Sequence, residues 1–488
     1  METENLKILL YNYVQFDDIE RRGGGVTVYL ANLVKSLLQS NHEVIFLSSG
    51  NSYDIKNSKP RLDIKKEGNL TRCIVYNSPF LAPASSSFYE PEVFTNSNSL
   101  DKIAHEIFQR FSDIDVFHFN NIEGLTYGFI KELRESFILS NFIYSVHNYN
   151  LLCMQVNLWF NDKENCQDFE EGSRCLNCNN NYNSFQSNLI IKKIQTTLSD
   201  KMLGKSALHK NVYLLTKKTL HKYRYLNHKI YKKKNRIPTV NIENNSAAFR
   251  DFREKNIQMC NDIFDKIICV SERTKDIMKR HGVKENKLNV VYIGTSFYDV
   301  YKSAELKKGF EKCLTIGYLG YMRKDKGFDF FINSIDKMDL KAKKNINIII
   351  AAHCRDKETA EKLKSLSDGF NSFKVYDGYT HESLPLILEE IDLGIVPVQW
   401  EDNLPQVAIE YVCNGIPVLT SNLGGASEIA ENPHFIFRHD DKKDFINKIS
   451  NFLNKEVELK DFWKKDLNVF SMSDHMNKII KDVYSISN

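Results

Sequence analysis

Short apolar runs separated by stretches of helical period set the rhythm of this chain. In the first half the runs are LKILLYNYV, HEVIFLSS, DVFHFN, FIYSVH and KIICVS, with LNVVYIG closing the half. The second half starts again with LTIGYLG, INIIIAA, FKVYDG, LGIVPV and IPVLTS. Each has the length and the β-branched content of a strand. Between them the apolar positions recur every three to four residues. In VTVYLANLVKSLL, for instance, Leu30, Leu33, Val34, Leu37 and Leu38 share one helical face. Strand, helix, strand, repeated in both halves, predicts an α/β protein of two parallel-sheet domains. The polar, unpatterned residues 297–311 read as the linker. The first domain is then 1–296, with an insertion at about 151–260, and the second is 312–470, followed by a final helix at 471–488. In such sheets ligands bind beyond the carboxyl ends of the strands. Two of them face to face enclose a cleft.

Length agrees with two domains, since 488 residues exceed one ordinary core. The start, METENLKILLYNYV, has no basic region followed by an apolar stretch, and no apolar run approaches the ~18 residues of a membrane span. A cytoplasmic protein is the expectation, and in a reducing compartment the ten cysteines are free thiols or metal ligands rather than disulfides. Cys153, Cys166, Cys175 and Cys178 stand in the pattern C-x12-C-x8-C-x2-C. They are either the sulfur ligands of a structural zinc or reduced thiols in an irregular insertion.

Charge is unevenly spread. Residues 192–236 hold fourteen Lys and Arg against the single acid Asp200, a local +13 in a chain whose total is +4. Leu220, Tyr223, Leu226 and Ile230 fall on one face of a helix through this segment. It reads either as a surface for an anionic membrane or as a solvated basic face against an acidic body. Nucleic acid is the weaker partner, because nothing resembling a base-reading module accompanies the charge.

Three motifs carry the chemistry. In ERRGGGVTVYLANL, Gly23, Gly24 and Gly25 open the first helix, either as a plain turn or as a place where backbone N–H groups meet a ligand. The full G-x-G-x-x-G spacing is missing, which argues against a dinucleotide site. LGYMRKDKGFDF places Arg323, Lys324 and Lys326 in the equivalent loop of the second half. There they are either a solvated basic loop or a clamp on a diphosphate. WEDNLPQVAIEYVCNG puts Asp402 in the turn before a helix and Glu410 inside it, with Pro405 at its start and Gly415 at its end. Asn403 and Leu404 lie in the turn, where backbone N–H groups are free for an anion. Glu410 has the reach to accept two hydrogen bonds from a ribose diol.

The run GGGVTVYLANLVKSLLQSNHEVIFLS, the block VSERTKDIMKRHGV with KLNVVYIG, the loop GYMRKDKG and EDNLPQVAIEYVCNGIPVLTSNLGGASEI together resemble family 4 glycosyltransferases. These are retaining, metal-independent enzymes of the GT-B fold that use nucleotide-sugar donors. The resemblance implies two Rossmann-like domains facing across a cleft, with the last helix crossing back to the first. It assigns Glu410 to the donor ribose, and Asp402 to the transferred sugar with the backbone of Asn403 and Leu404. Lys326 takes the diphosphate lysine's place. Where the family has an arginine directly after Gly320 this chain has Tyr321, with Arg323 two residues on. An Asp at 402 replaces the family's first Glu. His147, in YSVHNYN, matches the histidine that approaches the transferred sugar. His118, in DVFHFN, matches a position on the acceptor side.

The expected function is therefore transfer of a sugar, of the hexosyl type, from a nucleotide-sugar to a glycan or lipid-linked acceptor, as in bacterial surface polysaccharide or glycoconjugate synthesis. No cofactor is expected for catalysis. The donor is a co-substrate, and the enzyme is cytoplasmic or peripheral on the inner membrane face. The alternatives are a non-catalytic GT-B subunit of a glycosyltransferase complex, supported by Asp402 and Tyr321, and a polyanion-binding protein using 192–236. A nucleotide-sugar epimerase of the same fold is a further enzyme reading.

Overall fold

The computed structural model describes residues 5–18, 22–88, 90–178, 185–202, 219, 242–354, 356–379 and 383–484. Most of the basic segment, 203–218 and 220–236, lies outside the described residues.

The first sheet has eight strands: β1 (Lys7–Tyr11), β2 (Glu43–Ser52), β3 (Arg61–Glu67), β4 (Leu70–Tyr76), β5 (Val116–Phe119), β6 (Asn141–Val146), β7 (Lys266–Cys269) and β8 (Leu288–Val290). They lie side by side in the order 8-7-6-5-1-2-4-3. All neighbours are parallel except β3 and β4. A parallel strand covered on both faces must be apolar throughout rather than alternating. β1 follows that rule, with Ile8, Leu9, Leu10 and Tyr11 all fully buried. Helix α1 (Gly24–Gln39) covers it, burying Tyr29 together with Leu30, Leu33, Val34 and Leu37, while Leu38 stays half-exposed.

The second sheet has six strands, all parallel: β9 (Leu314–Tyr321), β10 (Ile346–His353), β11 (Ser372–Tyr376), β12 (Leu393–Val396), β13 (Val418–Ser421) and β14 (Ile436–Phe437), in the order 11-10-9-12-13-14. Every apolar run named above overlaps one of the strands. The hairpin β3–β4 and the two-residue β14 do not follow from those runs. β3, RLDIKKE, is an edge strand whose charged positions face water, so it lacks the apolar signature. Gly68 turns the hairpin at φ +63°.

The chain passes between the sheets twice. The 297–311 stretch includes a short helix, Tyr298–Ser303, and then runs along the second domain, where Lys307 N–H donates to the Gly415 carbonyl. Near the C-terminus Phe470–Ser471 pairs in parallel with Gly294–Thr295. Helix α4 (Met472–Lys478) and the turn that follows it then pack on the first domain. There Asn141 Nδ2 donates to the Tyr484 carbonyl at 3.0 Å and Lys266 Nζ to that of Asp482 at 2.7 Å. Among the described residues no helix is long and apolar enough to cross a membrane.

Candidate active site

The loop between β12 and helix α3 (Gln406–Cys413) is buried, although it is polar. Glu401, Asp402 and Asn403 are 6%, 7% and 3% exposed. Its shape is dictated by the glycine pair that follows β13. Gly424 has φ +65°, and a Cβ there would sit 2.1 Å from the Asp402 carbonyl oxygen. Gly425 N–H donates to that same oxygen at 2.9 Å. Only glycine permits this approach. The Glu401 carboxylate accepts from Gly424 N–H at 2.9 Å and from the Arg273 guanidinium of helix α2 (Glu272–Arg280) in the first domain.

Further contacts tie the loop to the opposite domain. Ser271 Oγ donates to the Asn403 carbonyl at 2.8 Å, and Asn403 Nδ2 donates to the Val146 carbonyl at 3.2 Å. Glu428 accepts from the N–H groups of Glu272 and Arg273 at 2.9 and 2.6 Å, and from the Tyr292 hydroxyl at 2.6 Å. A carboxylate from one domain thus caps the positive N-terminus of a helix in the other. Ser271, Glu272, Arg273 and Glu428 lie in the SER and GGASEI motifs, but their pairing across domains has no periodic signature in the sequence.

Above this floor the domains enclose a cavity of about 380 Å³. Its walls include Gly25, Tyr29 and His147 from the first domain, and Tyr321, Lys326, Tyr379, Trp400, Asp402 and Glu410 from the second. Asn403, Leu404 and the start of α3 also line it. Pro405, the N-cap, supplies no capping side chain, so the first N–H groups of α3 lack intrahelical partners. Lys326 Nζ donates to Asp402 Oδ2 at 2.5 Å and stands 5.1 Å from the centre of the Trp400 ring. Burial pushes the Glu410 carboxyl up to about 7. His147 donates from Nε2 to Asn120 Oδ1 at 3.1 Å and packs on the Tyr29 ring, with centroids 4.8 Å apart. Burial, helped by nearby His475, lowers it to about 3, so it is neutral at pH 7.

Lys326 is aimed by its neighbour. Gly327 has φ +76°, and a Cβ there would lie 1.7 Å from the Pro397 carbonyl oxygen. Gly327→Ala is expected to destabilise the fold by about 2–4 kcal/mol, through left-handed strain plus a backbone collision. Denaturant unfolding checks this, and a cost below ~1 kcal/mol would show that the loop adjusts freely.

The structure separates the other residues singled out from the sequence. Gly25 lines the cavity and comes so close across the cleft that a Cβ would be 3.2 Å from Gln406 Cγ. Gly24 begins α1 at φ +58° and is not part of the wall. Arg323 also stays outside. It forks onto Asp325 at 2.9 and 2.6 Å, with its side chain largely exposed. His118 is not part of the cavity wall. It is fully buried, its Nδ1 paired with the Tyr484 hydroxyl at 2.6 Å and its Nε2 with Ser145 Oγ at 2.7 Å. Its side chain points into the sheet's packing against the returning C-terminal segment, so a strand-end position did not imply a cleft position. Cys153, Cys166, Cys175 and Cys178 are free thiols that line a second cavity of about 20 Å³. As placed, no three Cys, His, Asp or Glu among the described residues form a ready metal-holding group. Tyr29, Tyr379 and Trp400 went unmarked in the sequence because aromatic residues in apolar runs look the same whether they pack a core or line a cleft.

Two parallel-sheet domains facing across a cleft, with the last helix returning to the first, define the GT-B fold. Residues 313–455, within the second domain, match the family model described as glycosyl transferases group 1. Over 99% of its length the chain is similar to the whole of the OtsA apo structure, with TM-score 0.55 at 11% identity. HepE of Anabaena in complex with UDP is similar over 98% of this chain and 99% of its own, with TM-score 0.52 at 13% identity. A sucrose-phosphate synthase of Thermosynechococcus elongatus covers 98% of both chains, with TM-score 0.52 at 12% identity. At these identities the likeness establishes the fold alone. An uncharacterised 42.6 kDa protein from the cps region of Klebsiella pneumoniae is 28% identical over 166 residues, 34% of this chain. The match spans 40% of that relative's length.

Proposed function

We propose that the chain is a retaining glycosyltransferase, moving a sugar from a nucleotide-sugar to a glycan or lipid-linked acceptor in the assembly of a surface polysaccharide or glycoconjugate. The observation that carries this reading is the convergence of Lys326, Asp402, Glu410 and His147 on one interdomain cavity at the open N-terminus of α3. The group 1 match in the second domain supports it, as does the cps-region relative. The HepE structure carries UDP in a protein of the same fold.

On this reading Glu410 accepts hydrogen bonds from the ribose diol, and Lys326 with the N-terminus of α3 faces the diphosphate. Asp402 and the backbone of Asn403 and Leu404 hold the transferred sugar, with His147 approaching it from the first domain. The bond from the anomeric carbon to the phosphate oxygen breaks while the acceptor oxygen bonds the same face of that carbon. The acceptor's proton goes to the departing phosphate. The charge growing on that phosphate is met by the lysine and by fixed N–H dipoles, which need no reorganisation. Neither wall carboxylate acts as a nucleophile.

The test is a screen of UDP-, GDP- and ADP-sugars for thermal stabilisation of the full chain and of Glu410→Ala. A bound donor is expected to stabilise by ~2.7 kcal/mol at a hundred times its dissociation constant. That gain should appear for one nucleotide class and disappear in the variant. A polyanion-binding protein would give no shift with any donor, and a gain that survives in Glu410→Ala would place the nucleotide elsewhere.

A further inference from the structure

We infer that Cys153, Cys166, Cys175 and Cys178 hold a zinc ion that pins the irregular segment 153–178 and, through it, braces the loop carrying Asp402. The four thiols come from three separated stretches of chain, yet all line the same enclosed void of about 20 Å³. That is room for about one water molecule or a single ion. The set also has the sulfur chemistry of a closed structural site, including one C-x2-C pair.

Backbone geometry supplies an independent reason. Of the ten described non-glycine residues with positive φ, six lie between Cys153 and Cys178: Val156, Leu158, Asn161, Asp162, Glu170 and Glu171. A left-handed backbone at a β-branched valine is strained and persists only where its surroundings over-determine it. Regular structure in this segment is limited to the two-residue strands Trp159–Phe160 and Glu164–Asn165 and two single turns. Such short pairings do not hold a strained loop by themselves. A four-fold cross-link does.

The turns also present amide protons to the sulfurs. Cys153 Sγ accepts from the backbone N–H groups of Gln155 and Leu158, and Cys178 Sγ from that of Asn161. N–H groups directed at sulfur fix its orientation, as partners of metal ligands commonly do. As placed, the sulfurs line the void without converging on its centre. Bringing them inward takes side-chain rotation that exchanges the thiol contacts of Cys166 with the Asp168 carbonyl and of Cys178 with the Trp159 carbonyl for the metal.

The segment reaches the cleft. Asn165, beside Cys166, donates from Nδ2 to the Gln399 carbonyl at 2.9 Å, and Gln399 precedes Trp400 and the Asp402 loop. A metal at the cysteines would thus fix one support of that loop from the opposite domain.

The experiment uses the full chain purified without chelator. Elemental analysis is expected to find one zinc per chain, released by a thiol-specific mercurial and absent from Cys175→Ser/Cys178→Ser. Withdrawing the zinc should lower the melting temperature by several degrees, and zinc sulfate should restore it. The proposal is overturned by wild type that carries no zinc and gains no stability when zinc is added. A disulfide between any two of the four cysteines, a different metal, or zinc retained equally by the double variant overturns it as well. Should the double variant fail to fold, the zinc content and the withdrawal and restoration on wild type decide the matter alone.

Discussion

Replacing Lys326 by alanine is expected to leave the fold standing and to lower turnover with the cognate donor by about 10²–10³-fold. That is the range lost when one preorganised donor to a developing oxyanion is removed, about 3–4 kcal/mol. The size of the effect follows from the wall of the cavity. Among the described residues Lys326 is the cation there, since Arg323 is turned away onto Asp325 and His147 is neutral. The same substitution strands Asp402, whose side chain is 10% exposed and bonded to Lys326 at 2.5 Å. Losing the partner of a charge this well buried destabilises, but the lysine is 29% exposed, so the cost should be about 1–2 kcal/mol rather than that of a fully buried pair. A double-mutant cycle separates the two roles. Lys326→Ala/Asp402→Asn should regain most of the stability and none of the turnover, read by denaturant melts and steady-state rates. Recovery of turnover in the double variant would mean that Lys326 serves only to neutralise Asp402.

How much of this was legible in the sequence depends on what kind of interaction fixed each part. The fold was, because the central parallel strands are buried on both faces and so leave continuous apolar runs, as in KILLY and LGIV. The edge strand β3 was not, because its exposed positions carry charge where a core strand shows valine, and in its partner β4, LTRCIVY, Thr71 and Arg72 interrupt the apolar run. Asp402, Glu410 and Lys326 were brought to one site by the resemblance of their motifs, which a local rule supports for the first two, since a proline and a glycine bound α3. His118 and Arg323 could not be placed from local rules. His118 is claimed by Tyr484, 366 positions away in the chain, and Arg323 by a carboxylate two residues on. The contacts that hold the cleft to its shape, Arg273 with Glu401 and Glu428 with the start of α2, join residues more than a hundred positions apart. The residue types alone carry no sign of that pairing, although both partners sit in motifs that drew notice for other reasons.

Donor affinity is expected to fall about tenfold per pH unit as the solution is acidified below pH 7, and Glu410→Gln is expected to abolish that dependence. Burial holds the Glu410 carboxyl near 7 in the ligand-free chain, so at lower pH it is protonated. A ribose diol offers two hydroxyl donors, which favour the ionised carboxylate. Binding therefore has to expel a proton below pH 7, at about 1.4 kcal/mol per unit. His147, lowered to about 3, and His475, lowered to about 4, stay neutral through the window and add nothing to it. The ligand-free protein should show the opposite trend. A group whose folded pKa is raised contributes stability that is complete below its unfolded value, near 4.5, and lost as pH rises through about 7. Melting at pH 5 and pH 7.5 should therefore differ by about 2 kcal/mol in wild type, allowing for the partial exposure of Glu410, and by much less in Glu410→Gln. Calorimetric titration of the cognate donor across pH 5.5–7.5 checks the first trend, and proton release in buffers of different ionisation enthalpy checks its cause. Flat affinity in wild type, with no proton released, would mean that Glu410 does not hold the ribose, whatever else the cavity binds.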